Sequence, residues 1–204
     1  MDHKKIIEIL KKEVINFDVP VINLIAFQSN NPDKVLISAI LSTRTKDKVT
    51  LEASERLFSK INNIKDLNKL KIEQIEKLIY PVGFYKIKAK HLKKLETLEK
   101  IPNTFENLIK IDGVGRKVAN LFLSVVYGND EICVDTHVHR ISNRIGWVKT
   151  SNPFQTEKAL KKILPKKYWK TINSILVAYG QKICTPINPK CSICKINKYC
   201  KKIF

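Results

Sequence analysis

Apolar residues recur every three or four positions along most of the chain, which is the spacing of a buried helix face. The first such stripe is formed by Ile6, Ile7, Leu10 and Val14, before a break at Asp18–Pro20. No stretch alternates between apolar and polar residues as a half-buried strand does. The pattern therefore predicts an all-α protein of about ten helices.

Proline, glycine and asparagine mark where the predicted helices begin and end. The pairs Asn31–Pro32 and Asn152–Pro153 each supply an N-cap followed by a first helical residue. Glycine-containing breaks are expected at Gly128–Asp130 and at Gly180, and Gly180 should end a helix that starts near Tyr168. These signals divide the chain into short helices without a long linker.

One longer helix is predicted from about Phe84 to Leu98, after a break at Pro81–Gly83. Its apolar register is read from Ile87, His91 and Leu95, which recur every four residues. This spacing predicts that Ile87 and His91 lie on the buried face.

The segment Leu108–Asn120 reads Leu-Ile-Lys-Ile-Asp-Gly-Val-Gly-Arg-Lys-Val-Ala-Asn, so two helical runs meet at Gly113-Val114-Gly115. The glycines allow positive φ and leave backbone N–H groups uncovered. Those groups lie at the start of a helix, where unpaired donors and the positive dipole end attract an anion. A phosphodiester is the candidate ligand, and an ordinary turn between helices is the alternative.

The charge of the chain supports a polyanionic partner. It carries 38 Lys and Arg against 19 Asp and Glu among 204 residues, a net charge of +19. Nucleic acid is favoured over a membrane surface because no long apolar span or lipidation motif is present. A lysine-rich proteome would explain part of the excess. No signal peptide precedes the first helix, so an intracellular protein is expected.

Four of the five cysteines, Cys184, Cys191, Cys194 and Cys200, lie in the last 21 residues with the spacing Cys-x6-Cys-x2-Cys-x5-Cys. Four thiols in one short loop of an intracellular protein indicate a metal site. Four thiolates satisfy zinc and an iron–sulfur cluster equally well, so the residues alone leave both open. Cys133 lies outside this spacing and is expected to be a buried apolar thiol.

Two residues carry the candidate chemistry. Lys117 lies in the first turn of the second hairpin helix, where the helix dipole and the like charge of Arg116 disfavour an ammonium. A neutral lysine is a nucleophile, whereas a solvated lysine would only contact phosphate. Asp135, in the run Val134-Asp135-Thr136-His137, either caps a helix or stabilises positive charge developing on a sugar.

Together the hairpin, the Val-Asp-Thr-His run and the cysteine spacing resemble the endonuclease III family of DNA glycosylases, from about Val35 to Cys200. The resemblance implies a two-domain helix–hairpin–helix glycosylase fold. Residues 22–130 would form a six-helix barrel domain, and residues 1–21 with 131–204 a second domain. The four cysteines would hold a [4Fe–4S] cluster in this second domain.

The resemblance also implies a bifunctional glycosylase and abasic-site lyase that removes oxidised pyrimidines. Lys117 would attack C1′ of a flipped-out nucleotide and form a Schiff base that permits β-elimination, with Asp135 across the substrate groove. Gly113, Val114, Gly115, Arg116 and Lys190 would contact DNA. The expected partner is double-stranded DNA with a damaged base or an abasic site, bound by a monomer. The protein itself would be cytoplasmic and nucleoid-associated in a prokaryote, or nuclear in a eukaryote.

Three residues depart from the pattern of the bacterial members. Arg44 replaces a glutamine that fills the gap left by the flipped base, so it contacts the orphan base or, alternatively, a phosphate. Phe84 replaces a leucine wedge and either parts the base stack or lies in the core. Asp112 replaces a proline and either weakens the phosphate contact or helps to bind a monovalent cation.

Two competing functions are a monofunctional mismatch glycosylase and a non-catalytic DNA-binding module. Neither of them needs both Lys117 and Asp135. His137 and His139 lie two residues apart and face different sides of a helix, so a metal-binding pair is not expected. The role of His137 is left open between helix packing and proximity to DNA.

Overall fold

The structure is a computed structural model that describes residues 2–203. Within that range it contains eleven α-helices, four short 3-10 helices and no strand, which confirms the all-α prediction. The α-helices are α1 (His3–Val14), α2 (Val21–Ser29), α3 (Pro32–Ser42), α4 (Asp47–Phe58), α5 (Ile72–Ile79), α6 (Tyr85–Lys94), α7 (Phe105–Leu108), α8 (Arg116–Tyr127), α9 (Thr136–Ile145), α10 (Pro153–Ile163) and α11 (Trp169–Lys182). The 3-10 helices are Ile64–Lys69, Leu95–Thr97, Lys166–Tyr168 and Asn197–Tyr199. None of the helices described is both long and apolar enough to span a membrane.

The chain divides into two compact units. One unit is the continuous segment Val21–Gly128, and the other combines Met1–Pro20 with Asn129–Phe204. Helix α1 therefore belongs with the C-terminal part of the chain. Helix α2, which opens the first of these units, was not predicted from the sequence.

Helix α3 is the central helix of the Val21–Gly128 unit. Seven consecutive residues, Val35 to Leu41, are buried, and α3 packs against α2, α4 and α8. A helix that is apolar on every side must be covered on every side. Asn31 caps it as predicted, since its Oδ1 accepts the backbone N–H of Asp33 at 2.9 Å. Each buried leucine or isoleucine here contributes about 1.5–3 kcal/mol through the area removed from water.

The buried face of α6 differs from the predicted one. Lys88, Ala89 and Leu92 point inward, while the side chain of Ile87 is 53% exposed. The prediction for Ile87 is therefore wrong. The helix is rotated so that Lys88 takes the inward position four residues before Leu92. A buried lysine is tolerated only where its ammonium is fully hydrogen-bonded, and three acceptors meet it here.

Helix α11 is the central helix of the other unit. Its residues Ile175 to Gly180 are all buried, and it packs against both α1 and α9. From α1, the side chains of Ile6, Ile7 and Leu10 are almost completely buried in the same core. The apolar stripe predicted for the first helix thus attaches the N-terminal segment to the C-terminal half of the chain.

Gly180 does not end α11, contrary to prediction, because the helix continues to Lys182. The glycine instead permits a close approach of α9. A Cβ at Gly180 would lie 2.5 Å from His137 Nδ1 and 2.9 Å from Arg140 Nη2. A larger residue would push the two helices apart, so Gly180 is needed for packing and not for termination.

Candidate functional site

The predicted hairpin is formed by α7 and α8 and the loop between them. Gly113 in this loop has a φ of 83°, which is the left-handed region that favours glycine. A Cβ there would also lie 2.7 Å from His91 Nδ1 on α6. Val114 is buried and its N–H donates to Ile111 O at 3.0 Å. The loop conformation therefore depends on glycine at 113 and on the apolar anchor at 114.

Gly115 has a different role from Gly113. It is the N-cap of α8 with an extended backbone, φ −88° and ψ 177°, so it does not use positive φ. No atom lies within 4 Å of a Cβ built at this position, and no side chain caps the helix. The start of α8 thus has no side-chain cap and has open space beside Gly115, and an uncapped helix start can bind an anion.

Two basic residues follow this open helix start. Arg116 is exposed, and its guanidinium carbon lies 4.9 Å from the centre of the Phe105 ring. Lys117, the next residue, is half-buried in the first turn of α8. The nearby Asp112 carboxylate pairs with Lys94 Nζ at 2.5 Å, and this ammonium lowers the pKa of the Asp112 carboxyl. Its negative charge is thereby balanced on the surface.

Arg44 and Phe84, which were predicted to act together, are neighbours in the structure. Arg44 lies in the turn after α3, and Phe84 lies immediately before α6. The Arg44 guanidinium carbon is 5.5 Å from the centre of the Phe84 ring. The two turns are also joined through the backbone, because Gly83 N donates to Thr45 Oγ1 at 3.2 Å. A Cβ at Gly83 would approach Arg44 O to 2.6 Å, so glycine permits this contact.

Both side chains are presented to solvent by a left-handed backbone. The φ angles are 52° at Arg44 and 59° at Phe84, and the Phe84 side chain is 56% exposed. The alternative that Phe84 belongs to the core is therefore wrong. Non-glycine residues adopt this conformation at a cost of about 1–2 kcal/mol, so the surrounding contacts must hold it. The hydrogen bond between Gly83 N and Thr45 Oγ1 is one such contact, because each of its partners is next to one of the two residues.

Lys88 was missed by the sequence analysis. Its Nζ donates to Leu41 O at 2.8 Å, to Thr43 O at 2.5 Å and to Thr45 Oγ1 at 3.3 Å. Burial, and after it the positive charge of Lys117, lower the pKa of Lys88 to about 8. The sequence signal was the position of Lys88 four residues before Leu92, in an apolar register that a lysine rarely occupies.

Asp135 caps α9, as one of its two predicted readings requires. Its Oδ1 accepts the backbone N–H groups of His137 and Val138, both at 2.9 Å. Both bonds use Oδ1, so the cap does not need the second carboxylate oxygen, Oδ2. Asp135 is half-buried and belongs to the unit that does not contain Lys117.

Two arginines on α9 hold the start of the cysteine loop. Arg140 Nη2 donates to Cys184 O at 2.8 Å and to Gly180 O at 3.2 Å, and it lies 3.1 Å from His137 Nδ1. Arg144 Nη1 donates to Thr185 O at 2.7 Å. His137 is thus a helix-packing residue beside Gly180. The helix that begins at Asp135 also supports the loop that begins at Cys184.

The four cysteines of the loop line one cavity, whose apolar walls include Ile141, Ile145, Ile183 and Ile196. Hydrogen-bond donors reach three of the sulfurs. Tyr179 Oη donates to Cys194 Sγ at 3.2 Å, Arg144 Nη1 lies 3.6 Å from Cys184 Sγ, and Lys202 N donates to Cys200 Sγ at 3.4 Å. Thiolate ligands, an apolar wall and donors to the sulfurs are the surroundings of an iron–sulfur cluster, so this donor set fits one.

Lys190 and Cys133 are two further residues of this unit whose roles were predicted from the sequence. Lys190 is exposed in the cysteine loop, and its backbone N–H donates to Ile183 O at 2.9 Å. Cys133 is 1% exposed, which confirms the buried thiol. Among residues 2–203, no group of three or more His, Cys, Asp or Glu side chains is arranged to hold a single metal ion.

Two family models match the chain. Residues 37–166 match the HhH-GPD superfamily of base excision DNA repair proteins. Residues 184–200 match the iron-sulfur binding domain of endonuclease III. The chain belongs to the endonuclease III family. Its cysteine loop therefore holds an iron–sulfur cluster and not zinc, and the chain is a DNA glycosylase of base excision repair.

Similar proteins extend this assignment over nearly the whole chain. Endonuclease III of Thermotoga maritima is 42% identical over 180 residues, which cover 85% of this chain and 84% of that protein. A non-covalent endonuclease III–DNA complex is 28% identical with a TM-score of 0.88, covering 98% of this chain and 94% of the other. A trapped endonuclease III–DNA covalent intermediate, an estranged-adenine complex, is 30% identical with a TM-score of 0.80, covering 89% and 93%.

Proposed function

We propose that this chain is a bifunctional enzyme: it removes oxidised pyrimidines from double-stranded DNA and then cleaves the strand as an abasic-site lyase. The observation that carries the proposal is Lys117 in the first turn of α8, directly after the uncapped hairpin loop. The similar structure of a trapped endonuclease III–DNA covalent intermediate supports the same chemistry. The enzyme would act as a monomer in the compartment that contains the DNA.

Lys117 would be the nucleophile. Its neutral Nζ forms a bond to C1′ of the extruded nucleotide while the glycosidic bond breaks, and the base leaves with the bonding electrons and gains a proton. The sugar ring then opens to give a Schiff base between Nζ and C1′. Loss of a C2′ proton expels the 3′ phosphate by β-elimination, and water releases Lys117.

Asp135 would provide the negative charge that this sequence of steps requires. As the glycosidic bond breaks, positive charge develops on the sugar, and a carboxylate stabilises it. The cap on α9 uses Oδ1 and fixes the position of the carboxylate, so Oδ2 is available for this role. The same oxygen would assist deprotonation of the attacking amine.

The DNA would be held by the hairpin and by the two turns that carry Arg44 and Phe84. The N–H groups at the start of α8 suit a phosphate, with Arg116 beside them, and Lys190 adds a contact from the cysteine loop. Phe84 would part the base stack, and Arg44 would contact the base left without a partner. The [4Fe–4S] cluster, when bound, fixes the fold of the cysteine loop and takes no part in bond cleavage.

The proposal is tested by strand cleavage on a panel of duplexes. The substrates carry an oxidised pyrimidine, an abasic site or a thymine–guanine mismatch at one labelled position. We expect strand cleavage at the oxidised pyrimidine and at the abasic site without alkali treatment. Base loss that leaves the strand intact would favour a monofunctional glycosylase, and binding without base loss would favour a non-catalytic module.

A further inference from the structure

Lys88 is a buried cation that the reaction described above does not use. Its side chain is 6% exposed on the inward face of α6. An ammonium in such a position is costly unless all its N–H groups are bonded. Its three hydrogen bonds meet this requirement, and they go to a single short stretch of chain, residues 41–45.

These acceptors are the end of α3 and the turn that follows it. Leu41 O belongs to the last turn of α3, where carbonyl groups lack helical partners and a positive charge is favourable. Thr43 O and Thr45 Oγ1 lie on either side of Arg44. Because Thr45 Oγ1 also accepts the N–H of Gly83, one hydrogen-bonded group joins α3, the start of α6 and both turns.

Arg44 lies between Thr43 and Thr45, two of the three residues that accept hydrogen bonds from Lys88. Its left-handed backbone is unfavourable for a residue with a side chain, so it persists only where neighbouring contacts fix it. That backbone directs the guanidinium over the Phe84 ring at 5.5 Å. Without the ammonium, the turn at 43–45 would lose one carbonyl and one hydroxyl contact, and the end of α3 would lose the contact to Leu41 O.

We infer that Lys88 is a positioning residue: its ammonium fixes the turn at 43–45 and thereby holds the Arg44 guanidinium where it meets DNA. The inference rests on the proposed contact of Arg44 with the orphan base. Lys88 itself lies beneath the surface and acts through the turn. With a pKa of about 8, the Lys88 side chain is mainly an ammonium at neutral pH, so all three N–H donors are present.

The test is a double-mutant cycle on single-turnover excision of an oxidised pyrimidine opposite guanine. It compares the wild type with Lys88→Met, Arg44→Ala and the double variant, and Lys90→Met on the exposed side of α6 is the matched control. Arg44→Ala should slow excision about 5- to 150-fold, the range of a lost bidentate base contact. Lys88→Met should slow it by no more than that, and the double variant should match Arg44→Ala.

Two further measurements keep the cycle interpretable. Hydrogen exchange of the peptide covering residues 41–47 should be faster in Lys88→Met and unchanged in Lys90→Met. Thr45→Val removes the hydroxyl that accepts from both Lys88 and Gly83 and leaves the two carbonyl acceptors of Lys88 in place, so it should repeat the pattern more weakly even where Lys88→Met unfolds.

An equal loss from Lys88→Met in the wild-type and Arg44→Ala backgrounds would overturn the inference, because Lys88 would then act independently of Arg44. Unchanged exchange at 41–47 would overturn it as well, and so would wild-type excision by Arg44→Ala. None of these results tests the assignment of lyase activity. That assignment fails if the wild-type enzyme cannot be trapped covalently on abasic DNA or leaves the strand intact.

Discussion

At the scale of single residues, the Asp135 carboxylate caps α9 and is also proposed to act in catalysis. The sequence offered an N-cap and an electrostatic role as alternatives. The cap is present, but it uses Oδ1 alone, so the two roles are compatible. A substitution that removes the charge and keeps the acceptor should therefore separate them.

We expect Asp135→Asn to slow base excision about 100-fold or more while abasic-site cleavage and stability change much less. The amide oxygen can still accept both backbone N–H groups, but it cannot stabilise positive charge at the sugar. Asp135→Ala is the comparison, since it also loses the cap and should lower the free energy of unfolding by about 0.5–2 kcal/mol. Excision and lyase rates of both variants are compared with thermal unfolding. Equal loss of the two activities in Asp135→Asn would reduce Asp135 to a structural cap.

Residues differ in how far their sequence context reveals them. Cys133, the caps at Asn31 and Asn152, and the exposed Phe84 follow from local composition or from the family pattern. Lys88 does not, because its burial depends on acceptors more than forty positions away in the chain. Periodicity alone assigned Ile87 to the buried face, since lysine is normally expected outside.

At the scale of elements, the hairpin depends on two glycines for two different reasons. Gly113 needs positive φ and lies against His91, whereas Gly115 is extended and borders open space. The sequence pattern Gly-Val-Gly predicted the turn but could not distinguish these needs. The distinction leads to opposite expectations for the same substitution.

Gly113→Ala should lower the free energy of unfolding by about 1–2 kcal/mol or more, because the left-handed backbone is strained and the added Cβ overlaps His91. Gly115→Ala should change stability by less than that and weaken DNA binding, since its Cβ would enter the open space beside the uncapped start of α8. Thermal unfolding and DNA titration of the two variants check this. Tight DNA binding by a folded Gly115→Ala protein would contradict the assignment of a phosphate site to the start of α8.

Helix lengths were predictable only where local signals end them. Asn152 and the break at Gly128 gave correct limits. Gly180 gave a wrong limit. Glycine is needed there because α9 approaches closely, and not because the local backbone ends the helix. Contacts between helices distant in sequence leave no local pattern.

At the scale of the whole molecule, the cysteine loop joins the last residues of the chain to α9 and α11. Arg140 and Arg144 reach it from α9, and Tyr179 reaches it from α11. The helix that begins at Asp135 is therefore coupled to the cluster within the same unit. The spacing of the cysteines predicted a metal site, and the family match identified it as an iron–sulfur site.

Cys191→Ser should lose iron and unfold at a lower temperature, because three thiolates no longer complete the ligand set and the loop loses its central crosslink. Cys133→Ser is the matched control, since it removes a buried thiol of the same unit that lies outside the loop. It should retain iron, with a stability loss of about 1–3 kcal/mol from a buried hydroxyl. Iron content and visible absorption are measured on both proteins. Full iron content in Cys191→Ser would contradict the ligand assignment.

The most direct test of the proposed chemistry is borohydride trapping on duplex DNA that contains one abasic site. Reduction of a Schiff base leaves a permanent bond between protein and sugar. We expect one covalent adduct with the wild type, mapped by mass spectrometry to Lys117. Lys117→Gln should form none while binding the same DNA, because an amide cannot attack C1′ and the remaining cations still hold the phosphates. Trapping of Lys117→Gln at the wild-type rate, or an adduct on another amine, would contradict the account.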